Sequence, residues 1–256
     1  MPLIHRRLPT GQEVAQVDAA EAALIYREIF VEHSYDPPGF PAVEPRVIVD
    51  VGANIGLASM YFKQRFPDAV IVAAEPGPDT FRALAENFAR HIPGGSAHQV
   101  AVSSREGTAR FGYYPQAPAE SGLYTDPGEE IALAKQLMLR TGFAEREAER
   151  FSRQRHRIQY VETPTTTLSK LIRDAGVDTV DLLKVDVERA ERDVLAGIAE
   201  EDWPRIGQLV LEVHDVDGRL AEVDALLHRH GFRTVVTQEE RLSDTSMHMV
   251  FGTRPA

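Results

Sequence analysis

Apolar and polar positions follow two different periods along most of this chain. Short apolar runs such as "RVIVDVG" and "AVIVAAEP" are typical of buried strands, and each precedes a segment with helical spacing. The same alternation resumes with "TVDLLKVD" and "QLVLEVHD". Strands that alternate with helices predict a parallel sheet with crossover connections. The last two apolar runs, "FRTVVTQ" and "HMVFGT", have no helical segment between them and predict an antiparallel hairpin at one edge.

The segment before the first of these strands has a different pattern. Apolar residues recur at helical spacing between Ala19 and Glu32, and the prolines of "HSYDPPGFP" end any helix there. We therefore expect an N-terminal helical cap over residues 1–41, joined to the sheet by a stiff loop.

A long insertion separates the two halves of the alternating pattern. Its first part, "YYPQAPAESGLYTDPGEE", is rich in proline, glycine and aromatic residues, and the rest is charged and helical. Insertions of this length in a compact α/β domain are typical of functional lids. The chain is thus expected to be one domain, 1–256, with a core of 42–113 and 158–256 and a lid at 114–157. A solvated helical excursion without a function is the alternative.

Composition narrows the classes of partner. The 256 residues carry a formal charge of −11, which disfavours a grip on nucleic acid or on an anionic membrane, since both require clustered cations. A small-molecule or protein-borne substrate fits better. The absence of cysteine excludes disulfides, cysteine-zinc sites and thiol catalysis. No apolar run reaches the ~18 residues of a membrane span, so we expect a cytoplasmic protein.

The turn after "RVIVDV" indicates a nucleotide-like ligand without a pyrophosphate. The dinucleotide fingerprint needs a second glycine where the backbone approaches the pyrophosphate, and this chain has Asn54 there and Leu57 at the third position. NAD and FAD are therefore disfavoured, and no Walker loop follows. Glu75 ends the next strand at about the distance where a carboxylate accepts hydrogen bonds from ribose hydroxyls.

These residues, together with three later motifs, carry a family resemblance. "VDVGANIG", "AAEPGPDTF", "TPTTTLSKLI", "DLLKVDVERAERDVLAGI" and "QLVLEVHDVDGRL" resemble the FkbM-type S-adenosylmethionine-dependent methyltransferases, over Val47 to about Phe232. The resemblance implies a Rossmann-like class I fold: α/β, with a seven-stranded, mostly parallel sheet. Many members have glycine where this chain has Arg189. A bulkier basic residue at this position resembles the branch of the family associated with polyketide and nonribosomal peptide synthetases.

That branch implies O-methylation of a hydroxyl, enol or carboxyl group on a natural-product intermediate, either free or tethered to a carrier protein. The cofactor would be S-adenosylmethionine and the product S-adenosylhomocysteine. N- or C-methylation, and a non-catalytic S-adenosylmethionine-binding scaffold, are the alternatives.

The resemblance also assigns roles to single residues. The methionine end of the cofactor would be surrounded by Asp50, Gly52, Asn54 and Gly56, and the ribose by Glu75 with Pro76. Ala101, Val102 and Ser103, at the end of the third strand, would lie near the adenine. Asp186 would lie beside the activated methyl group.

Methyl transfer to oxygen needs an aligned acceptor and a group that removes its proton. Glu212 and His214 share one face of their strand. His214 is the first choice because an imidazole titrates near neutral pH without a large shift. The other candidates near these two strand ends are Asp186, Glu188, Glu191 and Asp215. A second route binds Mg²⁺ through Asp186, Glu212 and His214, where the metal would lower the pKa of the acceptor.

Residues for the acceptor are less sharply indicated. Four tyrosines, Tyr26, Tyr113, Tyr114 and Tyr124, are expected to line its pocket, with core packing as the alternative for each. The basic run Arg150–Arg157 suits an acidic carrier protein or the phosphate of its phosphopantetheine. A solvated helix face is the simpler interpretation of that run.

Overall fold

A seven-stranded sheet forms the centre of the fold in a computed structural model of the chain, which describes residues 2–37, 39–238 and 245–255. The strands in chain order are β1 (Ile4–Arg7), β2 (Glu13–Gln16), β3 (Val47–Val51), β4 (Val70–Ala74), β5 (Ser96–His98), β6 (Ala101–Val102), β7 (Gly107–Tyr113), β8 (Gln159–Thr166), β9 (Val180–Val185), β10 (Ile206–His214), β11 (Arg233–Thr237) and β12 (Met247–Thr253). The α-helices are α1 (Ala19–Tyr26), α2 (Leu57–Arg65), α3 (Pro78–His91), α4 (Pro127–Arg140), α5 (Glu145–Arg155), α6 (Leu168–Asp174), α7 (Glu191–Ala196) and α8 (Arg219–Arg229).

The strand order in the large sheet is β11-β12-β10-β9-β3-β4-β5. Every neighbouring pair is parallel except those of β12, which runs antiparallel to β10 and to β11. The predicted seven-stranded, mostly parallel sheet with an antiparallel pair at one edge is therefore confirmed. The last strand inserts between β10 and β11, so the hairpin partner β11 forms the edge itself. Most of the connection between β11 and β12 lies outside the described residues.

The third predicted strand divides into two. "AHQVAVSS" gives β5, the edge of the large sheet, and β6, which belongs to a separate three-stranded sheet with the order β6-β8-β7. The expectation that residues 101–103 end the third strand of the large sheet was wrong, because the chain leaves that sheet after His98. The insertion connects β7 to β8 and contains α4 and α5, which pack against each other.

The N-terminal cap contains a helix, as expected, and also a hairpin that the sequence pattern did not indicate. Strands β1 and β2 pair antiparallel ahead of α1. Helix α1 continues directly into a π-helical turn over Arg27–Val31. Of the prolines expected to stop this helix, Pro38 lies outside the described residues. None of the helices that the structure describes is long and apolar enough to cross a membrane.

Alternate residues of the central strands fill two cores, one on each face of the sheet. Ile48, Leu182 and Val210 belong to the core that includes the N-terminal cap, α2 and α3. Their neighbours Val49 and Leu183 belong to the second core, which includes residues of α6, α7 and α8. This burial on both faces explains why the strands are continuous apolar runs rather than alternating ones.

The carboxyl ends of β3 and β9 approach each other closely at Gly52. The backbone of Gly52 has φ +77°, and a Cβ built there would lie 1.6 Å from the carbonyl oxygen of Asp186. The Asp186 amide in turn donates to the carbonyl of Val51, at 3.0 Å. Only glycine permits this contact, which brings the turn after β3 against the end of β9.

Gly52→Ala is expected to destabilise the protein much more than Gly94→Ala. Gly94 has a similar φ, +79°, with nothing within 4 Å of a built Cβ, so it isolates the cost of a positive φ, about 1–2 kcal/mol. The clash at Gly52 should add roughly 3 kcal/mol or more. Urea unfolding of both variants measures the difference, and equal losses would show that the Gly52–Asp186 contact imposes no constraint.

Candidate active site

A cavity of about 480 Å³ opens at the carboxyl ends of β3, β4, β9 and β10. This is where open α/β sheets bind ligands, next to the point at which the strand order reverses. Three parts of the chain form its wall. The strand ends contribute Val51, Gly52, Ala53, Asn54, Glu75, Pro76, Lys184, Asp186, Glu188 and Glu212; the cap contributes Glu21, Leu24, Ile25, Glu28 and Tyr35; the insertion contributes Pro118, Leu123, Leu137, Met138 and Arg155.

Glu75 is held rigidly at the end of β4. One carboxylate oxygen accepts from the Asn54 amide at 3.0 Å, and the other accepts from the Gly77 amide at 2.7 Å and the Thr80 hydroxyl at 2.9 Å. Burial raises the pKa of Glu75, against which these hydrogen bonds act. Its two oxygens offer about four lone-pair sites, so the one that accepts only from Asn54 can still accept from a ligand.

The structure divides the predicted cofactor residues into two groups. Gly52, Asn54, Glu75, Pro76, Val102 and Asp186 line the cavity, as does Ala101. Asp50, Gly56 and Ser103 do not belong to its wall and support it from behind. Gly56 begins α2 in a left-handed conformation. The carbonyl of Ser103 lies close to Gly197: a Cβ built on Gly197 would lie 2.2 Å from the Ser103 carbonyl oxygen.

Asp50 is fully buried and acts on the cavity through Lys184, which sequence reasoning missed. Its carboxylate accepts from Ser59 Oγ at 2.6 Å and pairs with Lys184 Nζ at 3.1 Å. The same ammonium donates to the Gly52 carbonyl at 2.7 Å and lies 3.5 Å from Asp186 Oδ2. Burial alone would lower the pKa of Lys184, but Asp50 and Asp186 outweigh it and raise that pKa, so the lysine is charged. A lysine inside the apolar run "DLLKVD" was the available signal.

His214 lies between two carboxylates at the end of β10. Its Nδ1 is 3.0 Å from Glu191 Oε1, and its Nε2 is 3.3 Å from Glu188 Oε2. Glu191 is fully buried and also accepts from the Arg189 amide at 2.8 Å and from Arg219 at 3.3 Å. Glu188 and Arg189 adopt positive φ angles of 50° and 74°, a costly backbone that clusters at functional sites.

The charge state of His214 differs from the expectation. Burial would lower its pKa, but the hydrogen bonds to Glu188 and Glu191 and the charge of Glu212 outweigh burial and raise it to about 11. A raised pKa favours the imidazolium at neutral pH, a form that holds a proton rather than accepting one, and so argues against the role of base predicted for His214. Glu212 lines the cavity, and burial followed by the charges of Asp186 and Glu188 raises its pKa well above the usual value.

The residues whose geometry suits a metal also differ from the predicted set. Among the described residues, ligand atoms of Glu188, Glu212 and His214 all lie within 4.8 Å of one another, and Asp186 is not in this group. The Asp186 carboxylate instead accepts from the Tyr35 hydroxyl at 2.7 Å. Both nitrogens of His214 already face carboxylates, so a metal would have to displace Glu188 from Nε2.

None of the four predicted acceptor tyrosines is in the cavity wall. Tyr26 stacks on Phe30, with ring centroids 4.6 Å apart. Tyr113 is buried behind the Gly77 turn, where a built Cβ would lie 3.5 Å from its ring. Tyr114 is also buried and donates to Glu130, and the exposed Tyr124 donates to Asp193. Tyr114 thus holds the insertion to itself and Tyr124 holds it to α7. The large apolar side chains of the insertion that line the cavity are Leu123, Leu137 and Met138.

The basic run 150–157 is partly consumed by contacts within the chain. Arg153 pairs with Glu149 at 2.5 Å, and Arg150 lies 4.8 Å from the centroid of the Phe151 ring. Arg155 lines the cavity and reaches within 4.0 Å of Glu21 Oε2. Glu21 Oε1 accepts from the Ala119 amide at 3.1 Å. Glu21, which the sequence pattern also did not indicate, therefore connects the cap to the insertion.

Comparison with known proteins agrees with this geometry. A family model described as "Methyltransferase FkbM domain" matches residues 50–234. The chain is 41% identical over 251 residues to 31-O-demethyl-FK506 methyltransferase FkbM of Streptomyces tacrolimicus, a match that covers 98% of this chain and 96% of that protein. It is 34% identical over 266 residues to AMB antimetabolite synthetase AmbE of Pseudomonas aeruginosa, covering 97% of this chain and 12% of the relative.

A solved structure supports the fold. The crystal structure of Methyltransferase FkbM from Methylobacillus flagellatus matches with a TM-score of 0.51 and 12% identity, over 85% of this chain and 46% of that chain. At this identity the likeness shows the fold alone, which is the Rossmann-like class I methyltransferase fold.

Lys184→Met is expected to destabilise the protein by about 3–5 kcal/mol, because it leaves the buried carboxylate of Asp50 without its counter-ion. The matched control is Lys170→Met, which removes an exposed lysine paired with Asp174 at 2.9 Å and should change stability little. Urea unfolding of both variants tests this. A loss at position 184 no larger than at position 170 would contradict the buried charge pair.

Glu21→Gln is expected to stabilise the protein at alkaline pH only. Burial raises the pKa of Glu21 from 4.5 to about 8, so the folded chain holds a proton that the unfolded chain has already released. The free energy of unfolding therefore falls as pH rises from about 4.5 to about 8. Glutamine imitates the protonated acid and still accepts from Ala119.

Thermal unfolding across this pH range measures the effect. The Tm of the variant should match that of the parent near pH 5 and exceed it by roughly 5 °C at pH 8.5. Glu222→Gln, at an exposed position on α8, is the control. A difference in Tm that does not change with pH would refute the proton held by Glu21.

Proposed function

This chain belongs to the FkbM methyltransferase family, and we propose that it transfers a methyl group from S-adenosylmethionine to a neutral hydroxyl oxygen of a natural-product intermediate. The observation that carries the proposal is the juxtaposition, in one cavity, of a nucleoside-type site at Glu75 and three carboxylates at Asp186, Glu188 and Glu212. The cap and the insertion add apolar side chains to the same wall, among them Leu24, Ile25, Leu137 and Met138.

The residues present fit S-adenosylmethionine. The backbone turn at Gly52 and Asn54 in the cavity wall suits the methionine end, a free lone pair on Glu75 suits the ribose, and Val102 suits the adenine. When bound, the cofactor supplies an electrophilic methyl group on a positively charged sulfonium. Three acidic side chains, Asp186, Glu188 and Glu212, line the same cavity, and negative charge there favours that cation.

We assign proton removal to Glu212. Both Glu188 and Glu212 line the cavity, but Glu188 is engaged by the imidazolium of His214. The raised pKa of Glu212 favours its protonated form until a positive charge comes close, and the carboxylate then formed is a stronger base than an ordinary one. A nearby positive charge favours its ionised form. Glu212 would take the proton that the acceptor hydroxyl loses, and the cofactor, when bound, would supply the methyl group and leave as S-adenosylhomocysteine.

His214 acts in this scheme as a fixed cation that holds Glu188 and Glu191 in place. We favour this acid–base route over a Mg²⁺ route, because the protonated His214 ring has no lone pair for a metal. Because the pKa of His214 is raised to about 11, the ring would have to lose a tightly held proton before it could bind a metal.

The same charges narrow the choice of acceptor group. Carboxylates at the reacting end repel an anionic acceptor, which favours a hydroxyl over a free carboxylate. Leu24, Ile25, Leu137 and Met138 offer an apolar wall for the body of the acceptor. The name of the Streptomyces relative indicates 31-O-demethyl-FK506 as its substrate, and the synthetase relative contains a similar segment within a much longer chain. We propose that the insertion is the lid over this acceptor, which arrives free or bound to a carrier protein.

The test measures S-adenosylhomocysteine release with a panel of hydroxylated natural products that includes 31-O-demethyl-FK506. Glu212→Gln should lower turnover by about 10²-fold or more and leave the Kd for S-adenosylhomocysteine within about twofold, since the amide keeps the shape of the side chain. Glu222→Gln is the surface control, and EDTA should change nothing. Full turnover in Glu212→Gln would remove Glu212 as the base, and cofactor binding without turnover on any acceptor would favour a scaffold role.

A further inference from the structure

Tyr35 brings the N-terminal cap into the cofactor half of the cavity. It lies outside residues 50–234, the segment matched by the family model. Its side chain is buried and lines the cavity, and its hydroxyl donates to Asp186 Oδ2 at 2.7 Å across 151 positions of sequence. Lys184 Nζ lies 5.4 Å from the centroid of its ring.

A separate set of contacts fastens the segment that carries Tyr35. The neighbouring Asp36 is buried, accepts from the Tyr61 hydroxyl at 2.8 Å and pairs with Arg65. His33 Nδ1 lies 2.8 Å from the same Tyr61 hydroxyl. Tyr61 and Arg65 both lie on α2, the helix that follows the Gly52 turn. The position of Tyr35 is therefore set by the helix that begins at the cofactor site.

Tyr35 can serve only as a hydrogen-bond donor here. Burial, followed by the charges of Asp186 and Glu212, raises its pKa well above the ordinary value. The hydroxyl thus keeps its proton and cannot act as a base.

The hydrogen bond competes with Lys184 for Asp186. Oδ2 of Asp186 lies 2.7 Å from the Tyr35 hydroxyl and 3.5 Å from Lys184 Nζ. Without the hydroxyl, the ammonium is the remaining cation beside this carboxylate and would draw it toward Asp50 and away from the cavity.

We propose that Tyr35 is a positioning residue for the methyl donor: it holds the Asp186 carboxylate toward the bound sulfonium, so that the cap completes the cofactor site. This inference rests on the proposed function, in which Asp186 faces that sulfonium. Because S-adenosylmethionine is cationic at sulfur and S-adenosylhomocysteine is not, the orientation of Asp186 should matter more for the first. Tyr35 then contributes to the preference for substrate over product.

Calorimetric titration of both ligands into the full chain tests the proposal. Tyr35→Phe keeps the ring and should weaken S-adenosylmethionine about tenfold, the size expected for a hydrogen bond to a charged group, while S-adenosylhomocysteine weakens by twofold or less. Tyr160→Phe is the matched control, at an exposed tyrosine on the small sheet. The double variant with Asp186→Asn should bind no worse than Asp186→Asn alone, because the hydroxyl acts through that carboxylate.

The outcomes distinguish the role of Tyr35 from the proposed place of Asp186 beside the sulfonium. Equal weakening of both ligands in Tyr35→Phe, or effects that add to those of Asp186→Asn, would mean that Tyr35 acts by packing, and would overturn the inference. Unchanged binding of S-adenosylmethionine in Tyr35→Phe, with a clear loss in Asp186→Asn, overturns the inference alone. No loss in Asp186→Asn overturns the proposed place of Asp186 itself.

Discussion

The buried ammonium of Lys184 organises the functional end of this protein. It sits between the carboxylates of Asp50 and Asp186 and donates to the carbonyl of Gly52. A lone lysine in the centre of a sheet would be prohibitively costly, and so would the fully buried carboxylate of Asp50; each makes the other tolerable. Together they join the ends of two neighbouring strands, and the turn at Gly52 and the orientation of Asp186 both depend on that junction.

The spacing of apolar residues in the sequence predicts the sheet and its helices but not the network of buried charges. Buried strands and crossover helices impose their patterns locally, so the sheet, its antiparallel edge and the Gly52 turn were predictable. Asp50 and Gly52 lie far in sequence from Lys184, as does Tyr35 from its partner Asp186, and no spacing rule brings these pairs together. His214 shows the same limit. The sequence indicated His214 as a site residue, but its charge depends on Glu188 and Glu191, which lie on either side of the ring in the fold.

The small sheet explains why the predicted acceptor tyrosines lie elsewhere. Strand β8 pairs with β6 on one side and with β7 on the other, so the segment before the insertion is itself a strand with buried aromatic positions. Tyr113, the last residue of β7, packs beside the Gly77 turn, and the next residue, Tyr114, donates to Glu130 of the insertion, so neither lines the cavity. Composition alone cannot distinguish an aromatic residue that anchors a lid from one that contacts a ligand.

The hydrogen bond from Ala119 to Glu21 joins the insertion to the cap, and its consequence concerns how such a protein changes over time. The residues that would select the acceptor lie on α1 and α4, whereas the carboxylates lie on strand ends fixed by the sheet. Substitutions in the first set would alter the shape of the cavity without disturbing the second. One fold can therefore diversify its substrates while its chemistry stays constant.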